Sequence, residues 1–399
     1  MEYVPEREDD PFVLAEPPDA VDETRLTIML VNKRWNAVAQ IRVRCEIRMG
    51  WRPRSEDFTA QDHLVKKGLQ SLVRVSQSAP HLLKNTRTMV ILLGPEHVED
   101  YRVGAQVCHL LSYTTLHHFS TNLDFEVPWL LFLSMRSAHT LTHLDSFFNP
   151  LIVPDSMIQS LNSFPNLVFL RMADHELYDI ARITPHPQSL VSLPRLSLPK
   201  LREMHVVARS YINNVHPNGH IPFHVGATAD LPSLTRLYVY QEDAPDDIWE
   251  LFPRFLRAFG RTLEVFHFTD VFIPSDLEDL AERAPNLTEL GVFVTDKGDY
   301  HGDVIECIQH PRLQHLAVTG RGHFTDTLRL LDKAKLPALV DVRFAGVVWD
   351  PNCTPDWLAK EMEDIEMAGL LTLRGILCVD EDGKPFGNLK SLLPQQSLA

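Results

Sequence analysis

The chain of 399 residues has 44% apolar residues, 23% charged residues and a formal net charge of −15. These values are typical of a folded globular protein, and the acidic surplus disfavours broad binding to nucleic acid or to an anionic membrane surface. No apolar run approaches the roughly 20 residues of a membrane-spanning helix. The five cysteines have no paired spacing, which favours a reduced, intracellular protein of the cytoplasm or nucleus.

The amino-terminal part divides into two segments by composition. Residues 1–23 are acidic and contain four prolines, so we expect a disordered tail. Residues 24–55 begin with an apolar stripe at helical spacing and continue as a basic connector. The stripe contains Leu30, Val31 and Trp35, in the string Leu-Val-Asn-Lys-Arg-Trp-Asn-Ala-Val-Ala. This periodicity predicts an amphipathic helix.

A second helical segment is predicted within residues 56–85. Thr59 and Asp62 resemble a capping box, so a helix should begin at Thr59 and run to Ala79, where Pro80 ends it. The residues from Thr88 to Leu93 are expected to form the first strand. The segment would therefore be a helical cap in front of a sheet.

The pattern Pro-x-Leu-x-x-Leu-x-Val recurs along residues 86–380 at a mean spacing of about 29 residues. Alternate residues of a strand face the same way, so the second leucine and the residue two places later should enter the core. The proline is expected at strand entry, where it ends the preceding helix. The leading leucines are Leu116, Leu141, Leu167, Leu201, Leu234, Leu263, Leu287, Leu313, Leu339 and Leu373.

Helical segments are predicted between the strands, over 245–256, 274–284, 325–333 and 354–368. Strand and helix repeated at this period predict an α/β leucine-rich-repeat solenoid, in which a curved parallel sheet carries outer helices. Helical repeats of the armadillo or HEAT type are the alternative. They do not account for a strand-like pattern after each proline.

The sequence resembles divergent, fungal-type F-box/leucine-rich-repeat proteins over roughly residues 24–380. The string from Leu30 to Ala39 is similar to the end of an F-box, L-V-x-[KR]-x-W-x-x-[LV]-[AV], although the Leu-Pro opening and first helix of that motif are missing or degenerate. The consensus asparagine five residues after the second leucine is kept only at Asn149. The resemblance implies that Leu30, Val31 and Trp35 contact a Skp-type adaptor, which joins the chain to a cullin.

Catalytic and metal-binding motifs are weak in this sequence. His216, His220 and His224 have the four-residue spacing of zinc ligands on a helix, but the prolines and glycine between them forbid that helix. We therefore favour a surface insertion. The glycines of Gly320-Arg-Gly322 lack the third glycine of a dinucleotide loop. The sequence predicts no enzyme, no cofactor and no metal.

The concave face of the predicted solenoid is the expected binding surface, because one face of every strand points there. Its candidate residues are rich in aromatic rings and arginine, which dominate interface hot spots. The alternative is that the tyrosines only cover strand edges. The candidates are Phe169, Arg171, His205, Arg236, Tyr238, Tyr240 and His267.

The function that these features favour is substrate recruitment to a Skp–cullin–F-box ubiquitin ligase. The F-box-like segment would bind the adaptor, the solenoid over 86–380 would bind an unidentified protein substrate, and residues 381–399 would form a carboxy-terminal tail. Neither nucleic acid nor membrane is an expected partner. The alternative is a protein-interaction scaffold with no link to ubiquitin ligation.

Overall fold

The computed structural model describes residues 46–49, 58–78, 80–92, 101–125, 127–148, 154–174, 194–208, 226, 228–241, 251–268, 277, 279–293, 307–319, 331, 335–345, 369 and 371–379. Twelve strands form a sheet whose strand order is the order of the chain. All the strand pairings described below are parallel. The strands are β1 (Glu46–Met49), β2 (Thr88–Ile91), β3 (His118–Phe125), β4 (His143–Phe148), β5 (Phe169–Asp174), β6 (Glu203–Ala208), β7 (Arg236–Gln241), β8 (Val265–Phe268), β9 (Glu289–Phe293), β10 (His315–Thr319), β11 (Asp341–Ala345) and β12 (Leu377–Val379).

Helices lie in several of the long crossover connections that parallel pairing requires. They are α1 (Phe58–Ser78), α2 (Tyr101–Leu111), α3 (Val127–Ser137), α4 (Pro154–Leu161), α5 (Leu251–Phe259) and α6 (Leu280–Arg283). Helices α1 to α4 pack side by side in chain order. The α/β repeat architecture is therefore confirmed, and α1 confirms the helix predicted from Thr59 to Ala79. The helices predicted over 325–333 and 354–368 lie almost wholly outside the described residues.

The leucines of the repeat pattern form the core. Leu170, Leu237, Leu290 and Leu316 are fully buried, as the pattern predicts. Leu144 lies opposite Leu170 and Leu290 lies opposite Leu316, so the apolar side chains stack from strand to strand. The leading leucines from Leu116 to Leu339 are buried as well. Each repeat therefore buries its leucines only when it packs against the neighbouring repeats.

The prolines of the pattern have a different role from the one expected. Leu167 donates its backbone N–H to the carbonyl of Phe164 at 3.1 Å, and Leu339 bonds to Leu336 in the same way. Pro165 and Pro337 therefore occupy the second position of a β-turn, for which the fixed φ of proline is suited. The turn precedes the strand by several residues, so the proline is not at strand entry.

One repeat closes its turn with a histidine. His310 is buried just before Pro311, and its Nδ1 accepts the backbone N–H of Arg312 at 3.2 Å. Its Nε2 lies 3.1 Å from the carbonyl of Ala284 in the preceding repeat. Burial lowers the pKa of His310, so the ring is neutral at physiological pH and donates from Nε2.

Side-chain amides connect neighbouring turns. Asn166 donates to the carbonyl of His139 at 2.7 Å, and Asn286 donates to that of Arg261 at 2.8 Å. Lys200 then donates to Asn166 at 2.7 Å. These bonds lie at the turns before the strands. They are not at the consensus asparagine position after the strands, where Asn149 lies outside the described residues.

Two sequence predictions about strands are wrong. The first strand is β1, which pairs with β2, so Thr88–Ile91 is the second strand. In the last repeat, Cys378 lies opposite Val342, two residues away from the predicted register. Gly375 has φ 78° and turns the chain so that Ile376 and Cys378 enter the core. Leu373 is consequently 85% exposed.

The chain divides within β7 into two compact units. The first unit is Pro17–Leu237, and the second is Tyr238–Ala399 together with Met1–Glu16. In the first unit, Gly104 allows α2 and α3 to approach closely, because a Cβ there would lie 2.6 Å from Cζ2 of Trp129. In the second unit, a Cβ on Gly260 would lie 2.3 Å from the carbonyl oxygen of Arg283. The glycines thus permit close packing between repeats.

Candidate partner-binding face

The open face is defined here as the side of the strands opposite the leucine core. It carries the first and third residues of each strand, because successive side chains alternate between the two faces. The predicted residues Phe169, Arg171, His205 and Arg236 belong to the first unit, on β5, β6 and β7. Tyr238, Tyr240 and His267 belong to the second unit.

In the first unit, four rings from successive strands form a ring row: His118, His143, Phe169 and His205. The ring centroids of His118 and His143 are 5.5 Å apart with nearly parallel planes. Those of His143 and Phe169 are 5.8 Å apart, and those of Phe169 and His205 are 5.1 Å apart. The strand register produces this row by placing His118, His143 and Phe169 opposite one another.

Charged side chains flank the ring row. Asp145 accepts a hydrogen bond from Ser120 at 3.1 Å, and its other carboxylate oxygen lies 3.9 Å from Nε of Arg171. Glu203 lies 2.8 Å from Nε2 of His205 and 3.6 Å from a guanidinium nitrogen of Arg236. The hydrogen bond from His205 is the main cause that lowers the pKa of Glu203. Glu203 is therefore ionised at neutral pH.

Two histidines of the ring row, His118 and His143, are kept uncharged. Burial lowers the pKa of His118, and the neighbouring His143 lowers it further. Partial desolvation by the neighbouring side chains also lowers the pKa of His143, although part of its side chain is exposed, and Glu203 opposes this effect. Both rings are accordingly neutral at physiological pH, and neutral imidazoles present aromatic faces rather than positive charge.

In the second unit, His267 is held in a fixed position. Its Nε2 lies 2.9 Å from Oε1 of Glu289, and its ring centroid is 4.8 Å from that of Tyr238. Gly291 makes room for the ring, since a Cβ there would lie 2.4 Å from Cγ of His267. The hydrogen bond from His267 lowers the pKa of Glu289, and the charges of His267, Arg343 and His315 add to the effect.

A second pair on the same unit joins β10 and β11. Nδ1 of His315 lies 2.7 Å from a carboxylate oxygen of Asp341 on the adjacent strand. Arg343 projects from the same face of β11, two residues after Asp341. The carboxylates of Glu289 and Asp341 therefore each have a histidine neighbour on this part of the face.

Three of the predicted residues are less accessible than an exposed hot spot requires. Arg171 and His205 are 6% exposed and His267 is 9% exposed, because each is drawn toward a carboxylate on the same face. Arg236 is exposed, while Phe169, Tyr238 and Tyr240 are half-buried. The sequence interpretation missed His118 and His143. Their position two residues after the leading leucine, which Phe169 shares, could have identified them.

Several candidates lie outside the part of the chain that the structure describes. These are the adaptor residues Leu30, Val31 and Trp35, and the histidines His216, His220 and His224. Their predicted roles stay predictions.

The described residues offer little for other kinds of chemistry. No group of three His, Cys, Asp or Glu residues among them could hold a metal ion. Burial raises the pKa of the Cys378 thiol to about 12, so it is not a nucleophile at neutral pH. None of the helices in the described ranges is both long and apolar enough to cross a membrane.

Comparisons with known proteins identify no family. No family model matches the chain, and no curated protein matches it. A solved structure, the crystal structure of the Rad7 and Elc1 complex in yeast, aligns with 10% identity and a TM-score of 0.30. The alignment covers 86% of this chain and 97% of that chain. A similarity this low carries no argument about function.

Proposed function

We propose that this chain is the substrate-recruiting subunit of a Skp–cullin–F-box ubiquitin ligase of the cytoplasm or nucleus. It binds a target protein on the open face of its leucine-rich repeats and performs no chemistry itself. The observation that supports the recognition role is the ring row with its flanking charges. Rings and charges of this kind, held in place before binding, are what protein recognition surfaces use.

The backbone makes this surface rigid. The carbonyl of Thr142 accepts the N–H groups of both Val168 and Phe169, at 2.8 and 3.0 Å. In the next repeat, the carbonyl of Val168 likewise accepts two hydrogen bonds, from the N–H groups of Arg202 and Glu203 at 2.9 and 3.1 Å. Because each strand entry is fixed to its neighbour, the side chains that follow lose little further freedom on binding.

The link to the ligase rests on the sequence string from Leu30 to Ala39. Its similarity to the end of an F-box makes Leu30, Val31 and Trp35 the contacts to a Skp-type adaptor, which in turn binds a cullin. The opening helix of the F-box is not recognisable in the sequence.

Reconstitution with a purified Skp-type adaptor tests the ligase link. The full chain should co-elute with the adaptor in size-exclusion chromatography, and Trp35→Ala should abolish the complex. Asn36→Ala is the matched control, because the F-box pattern leaves that position unspecified. Melting curves of both variants must match that of the wild type before the result is interpreted.

The scaffold alternative makes the opposite prediction. If well-folded wild-type chain shows no adaptor binding, the ligase role is refuted. The open face would then serve a protein-interaction scaffold without any connection to ubiquitin transfer.

A further inference from the structure

The ring row presents accessible aromatic faces beside an accessible carboxylate. His143 is exposed and Phe169 is half-buried, and their rings are stacked. Asp145 follows His143 by two residues on β4, so both project from the same face about 6–7 Å apart. That distance matches the length of one lysine or arginine side chain. A single cationic side chain that lies over the rings can therefore also reach the carboxylate.

The accessible charge near these rings is negative. The side chain of Asp145 is 30% exposed, whereas that of Arg171, its positively charged neighbour, is only 7% exposed. The negative charge of Glu203 acts on His143 and raises its pKa. Two exposed cations of this face are each next to a carboxylate: Arg236 lies beside Glu203 and Arg48 beside Glu46. The region over His143 and Phe169 therefore attracts cations.

We propose that the ring row binds a lysine or arginine side chain of a partner protein, with the cation over His143 and Phe169 and its N–H groups directed at Asp145. The inference rests on the proposed function and specifies the chemistry of the bound protein. Ring faces attract cations because of their negative quadrupole, and a carboxylate adds a charge-assisted hydrogen bond. The net charge of −15 attracts a basic partner at longer range.

Direct peptide binding tests the proposal. The probe is a fluorescein-labelled peptide of alternating arginine and glycine-serine units. Its matched control replaces each arginine by citrulline, which keeps the shape and removes the charge. Fluorescence polarisation with the full chain should show the arginine peptide binding roughly tenfold more tightly than the citrulline peptide. Equal binding of the two peptides, or tighter binding of a glutamate version, would overturn the proposal.

Variants of the ring row locate the site. Asp145→Asn and Phe169→Leu should each weaken binding of the arginine peptide by roughly three- to tenfold. Glu264→Gln removes the same charge from an exposed position outside the ring row and should change binding less than twofold. Tyr101→Ala removes an exposed ring from helix α2 and should also have no effect. If the controls weaken binding as much as the ring-row variants, the peptide is held by net charge alone and the site is refuted.

The pH dependence gives a further readout. The groups that face His143 are His118 on β3, Asp145 on β4, Phe169 and Arg171 on β5 and Glu203 on β6, while Glu46 and Arg48 on β1 act on His118. Acidification protonates the two histidines and should repel the arginine peptide, so binding weakens as the pH falls below the ordinary histidine pKa of about 6.5. His143→Phe keeps a ring and removes one titrating group. It should lose part of this pH dependence, and an unchanged pH profile contradicts the proposal.

The outcome separates this inference from the proposed function. Adaptor binding depends on Trp35 and is measured without any peptide. If the arginine peptide fails while the adaptor complex forms, the cation site is refuted and the ligase role stands. If the peptide binds and the adaptor does not, the cation site belongs to a scaffold.

Discussion

Gly291 is the residue on which the polar cluster of the second unit depends. Gly291→Ala would place a Cβ 2.4 Å from Cγ and 2.9 Å from Cβ of His267. His267 cannot move aside without losing its bond to Glu289, so we expect a loss of about 1–3 kcal/mol in unfolding free energy. Urea denaturation measures this loss.

Gly68→Ala is the control for that substitution. Gly68 lies within α1, and a Cβ there would meet no atom closer than 3.5 Å. Alanine should stabilise the helix by up to about 1 kcal/mol.

Adding His267→Ala to Gly291→Ala should restore part of the unfolding free energy that Gly291→Ala loses. If Gly291→Ala alone is neutral, the ring of His267 does not occupy the position described.

Glu289 should make the protein sensitive to acid. Its pKa is lowered below the ordinary glutamate value of 4.5, chiefly by the hydrogen bond from His267. A carboxyl with a lowered folded-state pKa stabilises the fold above about pH 4.5 and loses that contribution as pH falls through the lowered value. Urea midpoints between about pH 6 and pH 3 should therefore fall more steeply for the wild type than for Glu289→Gln. Parallel slopes for the two proteins would contradict this assignment.

At the scale of the element, the register of the last repeat can be tested with two leucines. Leu313 and Leu373 occupy the same place in the sequence pattern, yet Leu313 is fully buried and Leu373 is exposed. Leu313→Ala should cost about 2–5 kcal/mol. Leu373→Ala should stay within about 0.5 kcal/mol of the wild type. If the two variants lose comparable unfolding free energy in urea denaturation, the register predicted from the sequence is correct and the observed one is wrong.

The strands and their core could be predicted from the regular spacing of leucines along the chain. Leu170 and Leu316 occupy equivalent positions in their repeats, three residues after the leading leucine, and both are buried. The register of β12 could not be predicted, because it depends on the positive φ of Gly375. The burial of Arg171 and the stacking of His143 depend on which side chains the neighbouring strands place alongside. Cross-strand neighbours of this kind are set by register rather than by local sequence.

At the scale of the whole molecule, a local loss of structure should not spread along the sheet. Each described pairing joins strands that follow one another in the chain. Cys378 on β12 is fully buried, and Cys378→Asp would place a carboxylate in that core. Hydrogen exchange should accelerate in β12 and β11, while β3, β4 and β5 keep their protection. Leu377→Asp, at a more exposed position on the same strand, should have a much smaller effect. Loss of protection along the entire sheet would indicate a single cooperative core.

The order of the strands also bears on how the chain folds during synthesis. The pairings between the described strands join residues that are between 23 positions apart, from Asp124 to Phe147, and 42 positions apart, from Glu46 to Thr88. None of these described pairings closes a longer loop, so contact order stays low although the sheet is parallel. Each new strand can dock on the one before it soon after leaving the ribosome, without waiting for the carboxy terminus. The unpaired edge of each strand is then covered as soon as the next repeat has been synthesised, which limits edge-to-edge aggregation.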